Sequence, residues 1–137
     1  MEITTELLTL CDFALTSREG KLSVLGLFDR FFVSEVPSKY ARFFLVAIIS
    51  GTPNSEHSVN LKVTTPSSND LLPLKPVKLT FGPNGKANLI TDLANITLPE
   101  IGEYKISLSS DSKSLAERSF FVTQISKKDT NTNQLPN

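Results

Sequence analysis

Apolar and polar residues alternate with a period of two along most of this chain, and clusters of Gly, Pro, Asn, Asp and Ser cut the alternation at short intervals. Residues 7–15 place Leu7, Cys11, Phe13 and Leu15 on one side of an extended strand, with Asp12 and Ala14 on the other. Thr16 to Gly20 is a polar turn closed by glycine. In the next strand Leu22, Val24 and Phe28 share one face and Leu25 and Leu27 the other, with Gly26 as a bulge or point of close approach. Both faces read as covered. Asp29-Arg30-Phe31-Phe32-Val33 then runs to Pro37, which lacks an amide donor and marks a loop or a sheet edge.

A third strand spans Tyr40 to Ile49 and is stopped by the breakers from Ser50 to Ser55. Val59, Leu61 and Val63 alternate with Asn60 and Lys62, the pattern of a strand with one wet face. After the break from Pro66 to Asp70, Leu71 to Pro76 reads as an edge or crossing segment, and Val77, Leu79 and Phe81 resume the alternation. Gly82-Pro83-Asn84-Gly85 predicts a hairpin turn, because Pro presets φ at the first corner and Asn-Gly accepts positive φ at the next. Its return strand runs from Lys86 to about Leu93. Pro99 and Gly102 then form a corner into Tyr104, Ile106 and Leu108, and a tyrosine so placed can bond the corner's backbone through its hydroxyl, as in immunoglobulin-like sandwiches. After the polar turn Ser109 to Lys113, the last strand covers Leu115 to Ile125.

No segment carries a sustained helical period. Turns separate about eight strands, which predicts an all-β, antiparallel, immunoglobulin-like β-sandwich over residues 1–125. Residues 126–137, SKKDTNTNQLPN, hold too little apolar surface to offset the entropy of ordering them, and a disordered polar tail is expected there.

Charge narrows the partners. The 14 Lys and Arg cancel the 14 Asp and Glu, and both signs are scattered, so neither nucleic acid nor an anionic membrane is an expected partner. The longest apolar run, Phe43 to Ile49, is far shorter than the ~20 residues of a membrane-spanning helix. Cys11 is the only cysteine, which points to a reducing compartment, and the start Met1-Glu2-Ile3-Thr4-Thr5-Glu6 has neither the basic nor the apolar region of a signal peptide. A cytoplasmic location is the expectation.

Asp12-x-Ala14, followed by Gly20-Lys21-Leu22-x-Val24-x-Gly26-x-Phe28-Asp29, resembles the N-terminal signature of a family of small bacterial and phage-borne proteins known only as a domain of unknown function. The similarity extends through GPNGKANL and PxxGEYxI to RSFFV and covers roughly Leu10 to Val122. It implies a compact β-sandwich and brings no catalytic or binding residue with it.

Groups that could carry chemistry are sparse. His57, the only histidine, sits in a loop beside a strand start, and one histidine with one distant cysteine cannot build a zinc site. Cys11 falls on an apolar strand face, where a thiol is inert. Asp29, Glu56, Asp70 and Asp111 lack the spacing of a calcium loop, and Asn95-Ile96-Thr97 is a glycosylation acceptor only in a secreted protein. No cofactor, no metal and no catalytic residue are expected. The aromatic residues are more informative. Phe31-Phe32, Phe43-Phe44 and Phe120-Phe121 are adjacent pairs, and neighbours on a strand point to opposite faces, so one ring of each pair must leave the inter-sheet core. Either the monomer covers those outer rings or a partner does.

The resulting expectation is a non-catalytic protein-interaction module whose partner is a protein, most simply a second copy of the chain. Asp29, Arg30, Phe31, Phe32, Phe43 and Phe44 are the candidate contact residues. The alternative is a sandwich that binds a small molecule or glycan in its end loops, although tryptophan is absent and only Tyr40 and Tyr104 could stack on a sugar while hydrogen bonding. A hydrolase with a carboxylate pair would need two acids converging in one cleft.

Overall fold

The computed structural model describes residues 3–126; the expected polar tail from residue 127 on lies outside them. The described residues form nine strands: β1 (Thr4–Thr16), β2 (Leu22–Phe28), β3 (Arg30–Val33), β4 (Ser38–Ser50), β5 (Glu56–Thr64), β6 (Asp70–Thr80), β7 (Lys86–Leu98), β8 (Gly102–Ser110) and β9 (Lys113–Gln124). They make a four-stranded sheet in the order β2-β1-β4-β7 and a five-stranded sheet in the order β3-β9-β8-β5-β6. The all-β immunoglobulin-like sandwich expected from the alternation is the fold observed. The ninth strand is β3, drawn from Arg30–Val33, which reads in the sequence only as a strand exit. It runs parallel to β9, with Phe31 opposite Val122, whereas every other pairing is antiparallel.

The order β1-β4-β7 facing β9-β8-β5-β6 matches strands A, B and E over G, F, C and C′ of an immunoglobulin-like domain. β2 has no place in that scheme. It is an extra strand, inserted after β1 and before the chain crosses to the other sheet as β3.

The two inner faces meet in one core. β1 supplies Leu8 and Leu10, β4 supplies Phe43, Leu45, Ala47 and Ile49, and β7 supplies Ala87 and Leu89. Opposite them lie Val59, Leu61 and Val63 of β5, Tyr104, Ile106 and Leu108 of β8, and Phe120 and Val122 of β9. These positions are spaced by two along each strand, and burying each large side chain contributes about 1.5–3 kcal/mol.

Gly82-Pro83-Asn84-Gly85 forms the tight turn that its residues specify, with Gly85 N donating to Gly82 O at 2.9 Å and Lys86 N to Asn84 Oδ1 at 3.1 Å. Gly85 has φ +75°, and a Cβ there would lie 2.7 Å from Gly51 O, so only glycine fits. It is not a hairpin, however. β6 and β7 belong to different sheets, and the turn carries the chain from one to the other. Turn chemistry sets the local reversal and leaves open which neighbour the return strand chooses; β7 chooses β4, along twelve register pairs from Ser50↔Lys86 to Ser38↔Leu98.

The tyrosine corner is present at the β7–β8 connection. Tyr104 is fully buried, its hydroxyl donates to Glu100 O at 2.7 Å, and Glu100 N donates to the Tyr104 hydroxyl oxygen at 3.0 Å. Tyr104→Phe strands both backbone groups of Glu100 and is expected to cost about 1–3 kcal/mol in chemical denaturation. An unchanged midpoint would show that the corner holds without the hydroxyl.

Candidate interaction surface

The first sheet loses its flatness at Asp12. β1 pairs with β4 as far as Cys11↔Phe44, and beyond that point it pairs only with β2. Gly26, directly across from Asp12 in the β1–β2 register, has φ +69°, and a Cβ built on it would lie 2.3 Å from Asp12 Oδ2. Buried Cys11 and buried Ala14 are an odd number of residues apart, so the inward face reverses across this point. The β1–β2 hairpin therefore folds over the outer face of its own sheet.

Under it lies a second, smaller core of Cys11, Ala14, Phe44 and Val46, against which Leu7, Leu22, Val24 and Ile90 pack. The hairpin tip reaches β7, where Asn88 Nδ2 donates to Gly20 O at 3.4 Å. Burial in this layer pushes the Cys11 thiol up from its ordinary pKa, which suits its packing role.

Each of the three aromatic pairs sends one ring inward and one outward, and the chain covers each outward ring differently. Phe31, Phe43 and Phe120 meet in the main core, with Phe31 edge-on to Phe28, Tyr40, Phe43 and Phe120 at centroid distances of 5.0, 4.7, 5.1 and 5.6 Å. Phe44 is covered by the hairpin, by the edge of Phe13 at 5.4 Å and by the Arg42 guanidinium at 5.2 Å. Asp92 holds that guanidinium through two hydrogen bonds of 2.9 and 2.6 Å. Phe121 lies under the Arg30 guanidinium at 5.0 Å, and Arg30 Nη1 donates to Thr123 Oγ1 at 3.0 Å.

The six candidate contact residues are accordingly separated. Phe31, Phe43 and Phe44 are 2%, 2% and 5% exposed and offer no surface to a partner. Phe32 is half-buried on the outer face of the second sheet, and Asp29 and Arg30 are exposed. The exposed apolar residues lie elsewhere. Phe13, Leu15, Leu25 and Leu27 are 42%, 45%, 65% and 63% exposed. Phe13 and Leu25 are directly opposed across the hairpin, and Leu15 follows on the same side. Leu25 and Leu27 correct the expectation that both faces of this strand are covered: β2 is a sheet edge with only β1 beside it. An uncharged run on both faces of a strand is the signal that marks it, but a central strand reads the same way.

The remaining candidates are dispersed. His57 Nε2 is 2.6 Å from Ser110 Oγ and 3.8 Å from Asp111 Oδ2, so both approach the same ring nitrogen; a nucleophile–base–orienter relay needs them on opposite nitrogens. Glu56 and Asp70 face Lys78 and Lys62 on their own sheet. Among the described residues no three His, Cys, Asp or Glu side chains are grouped to hold a metal, and no helix is long and apolar enough to cross a membrane. The interior void bounded by Leu10, Phe43, Leu45 and Phe120 measures only about 10 Å³ and is lined by apolar side chains alone. An open cleft of about 820 Å³ separates the hairpin tip from the Gly82–Asn84 turn, bordered by Glu6, Thr16, Lys21, Asn84, Lys86 and Asn88. On its border Lys86 and Ser50 both donate to Glu6 Oε2.

The class this defines is an immunoglobulin-like β-sandwich with an extra N-terminal hairpin. Residues 6–123 match the family of unknown function DUF6941, and the chain belongs to that family. No curated protein sequence matches it. Among solved structures, a β-glucosidase from Listeria innocua in complex with glucose is similar at 9% identity and a TM-score of 0.51, over 91% of this chain and 16% of the glucosidase. An alkylpurine DNA glycosylase from Pseudomonas fluorescens, bound to DNA containing an abasic site analog, is similar at 10% identity and 0.50, over 89% of this chain and 30% of that one. An immunoglobulin-like protein from Pseudomonas aeruginosa aligns at 16% identity and 0.47, over 89% and 97% of the two chains. This chain thus spans only a fraction of the two enzymes, and at such identities the likeness is one of fold.

Three carboxylates titrate low. Hydrogen bonds from Lys86 and then Ser50 hold Glu6 below its usual range, Arg42 does the same for Asp92, and Ser67 for Glu100. A carboxylate whose pKa is depressed by folding stabilises the fold above its unfolded pKa, and that contribution disappears as pH falls through the folded value. Thermal midpoints should therefore be level near neutrality and decline below about pH 4.5, with a shallower decline in the Glu6→Gln, Asp92→Asn double variant. An identical decline in the double variant would remove these groups as the cause.

Proposed function

We propose that this chain is a non-catalytic protein-interaction module whose contact surface is the outward face of the β1–β2 hairpin. One observation carries the reading: of the six large apolar side chains that are exposed among the described residues, four belong to this single hairpin, whose second strand is the addition to the immunoglobulin-like scheme. Scattered exposed apolar residues are ordinary, whereas a cluster of them on one element is characteristic of binding surfaces. The dispersed titratable groups and the apolar interior favour binding over catalysis. A photo-crosslinking residue at position 25 should form adducts in cells, and one at position 62 on the outer face of the other sheet should not. Equal yields at the two positions would overturn the reading.

The open cleft at the hairpin tip, lined by polar and apolar side chains together, favours a second reading, in which a small molecule or glycan binds there, since about 820 Å³ falls within the range of ligand sites. A library of sugars and small polar metabolites should then contain a compound that raises the thermal midpoint of the wild type and not of Asn88→Leu. A library without such a compound removes this reading.

A further inference from the structure

The hairpin combines its apolar face with a particular arrangement of charge. Leu25 is the most exposed large apolar residue on it. Lys21 and Asp29 stand equally far from Leu25 in sequence, four residues before it and four after, and the residues between them carry no charge. Lys21 lies at the tip, and its ion-pair neighbour Glu19 is 3.8 Å away with both side chains largely in solvent. Asp29 lies at the base and is exposed. The strand therefore carries Lys21 at one end, Asp29 followed by the exposed Arg30 at the other and apolar side chains between them, with the exposed Asp12 of β1 across from Gly26. A surface of that form is self-complementary: turned about a two-fold axis beside Leu25, it sets each Lys21 against the Asp29 of the other copy and Leu25 against Leu25. The positive φ at Gly26 interrupts the strand edge, so side-chain faces rather than backbone ladders make the contact. A net charge of zero adds no long-range repulsion between copies.

We infer that the partner is a second copy of the chain, two hairpins packing face to face and antiparallel about a two-fold axis at Leu25. The inference rests on the interaction-module reading and names its partner. Sedimentation equilibrium of the full chain at tens of micromolar is expected to give twice the 15.1 kDa chain mass. Leu25→Asp should give the monomer mass with an unchanged circular dichroism spectrum, because the side chain it replaces is already largely exposed. Lys21→Asp or Asp29→Lys alone should weaken the dimer about tenfold, and the two together should restore it to within about threefold of the wild type, because the charge pairs are exchanged rather than lost. A monomer at 100 µM, or a dimer indifferent to Leu25→Asp, overturns the inference; so does a swapped double variant no stronger than the weaker single one. The crosslinks from position 25 separate this failure from that of the parent reading. Adducts at twice the chain mass support self-pairing, adducts of another mass overturn it while the interaction module stands, and a yield no higher than at position 62 overturns both.

Discussion

Successive side chains on a strand leave on opposite sides, and a single layer of core between two sheets can accept only one of them. A chain that places two phenylalanines side by side three times must therefore find cover outside that layer. Here the cover is different each time: a folded-over hairpin above Phe44, a guanidinium above Phe121, and partial burial on the second sheet for Phe32. The first of these shapes the molecule most. To shield Phe44 and Val46 the β1–β2 ribbon must bend away from its sheet and reverse its faces, and the bend falls where Gly26 can adopt a left-handed φ opposite Asp12. Covering one apolar layer with a two-stranded ribbon exposes the ribbon's other side. Leu15 and Leu25 lie on that side and Phe13 is shared between it and Phe44, so the ribbon that solves the burial problem of the first sheet also creates the exposed surface of the hairpin.

Much of this was legible in the residues. The alternation of Val59, Leu61 and Val63, or of Tyr104, Ile106 and Leu108, leaves one arrangement for a strand with a dry and a wet face, and those strands lie as expected. Tyr104 announces its corner because the bond from its hydroxyl spans only four residues. What the residues could not convey is set by distant neighbours. Phe44 looks identical whether a partner or the chain's own hairpin covers it. Arg30–Val33 looks like an exit because a four-residue strand with a charged start has no alternation long enough to read, and its pairing with Phe121–Gln124 depends on the opposite end of the domain. Gly82–Gly85 specifies its own bend and says nothing about which sheet receives Lys86.

The same logic bears on the contact surface. An apolar strand face is ambiguous until its neighbours are known: Leu45 and Leu25 are both leucines in uncharged runs, but β4 has strands on both sides while β2 has one. Position in the sheet, not side-chain chemistry, decides that Leu45 is fully buried and Leu25 mostly exposed. Membership of a family without an assigned function, and a fold shared with parts of two unrelated enzymes, leave the surface itself as the source of functional argument.

The pairing of β3 with β9 also governs when the domain can be completed. β3 has one sheet neighbour, drawn from residues 121–124, and Phe31 at its centre stacks edge-on against Phe120. On a growing chain, the β1–β2 hairpin has its partner within a few residues and can close early, whereas β3 must wait until almost every other strand has been synthesised. Until β9 is made, Phe31 lacks its neighbours Phe120 and Val122, so the last strand of the domain is the one that closes the core around the third.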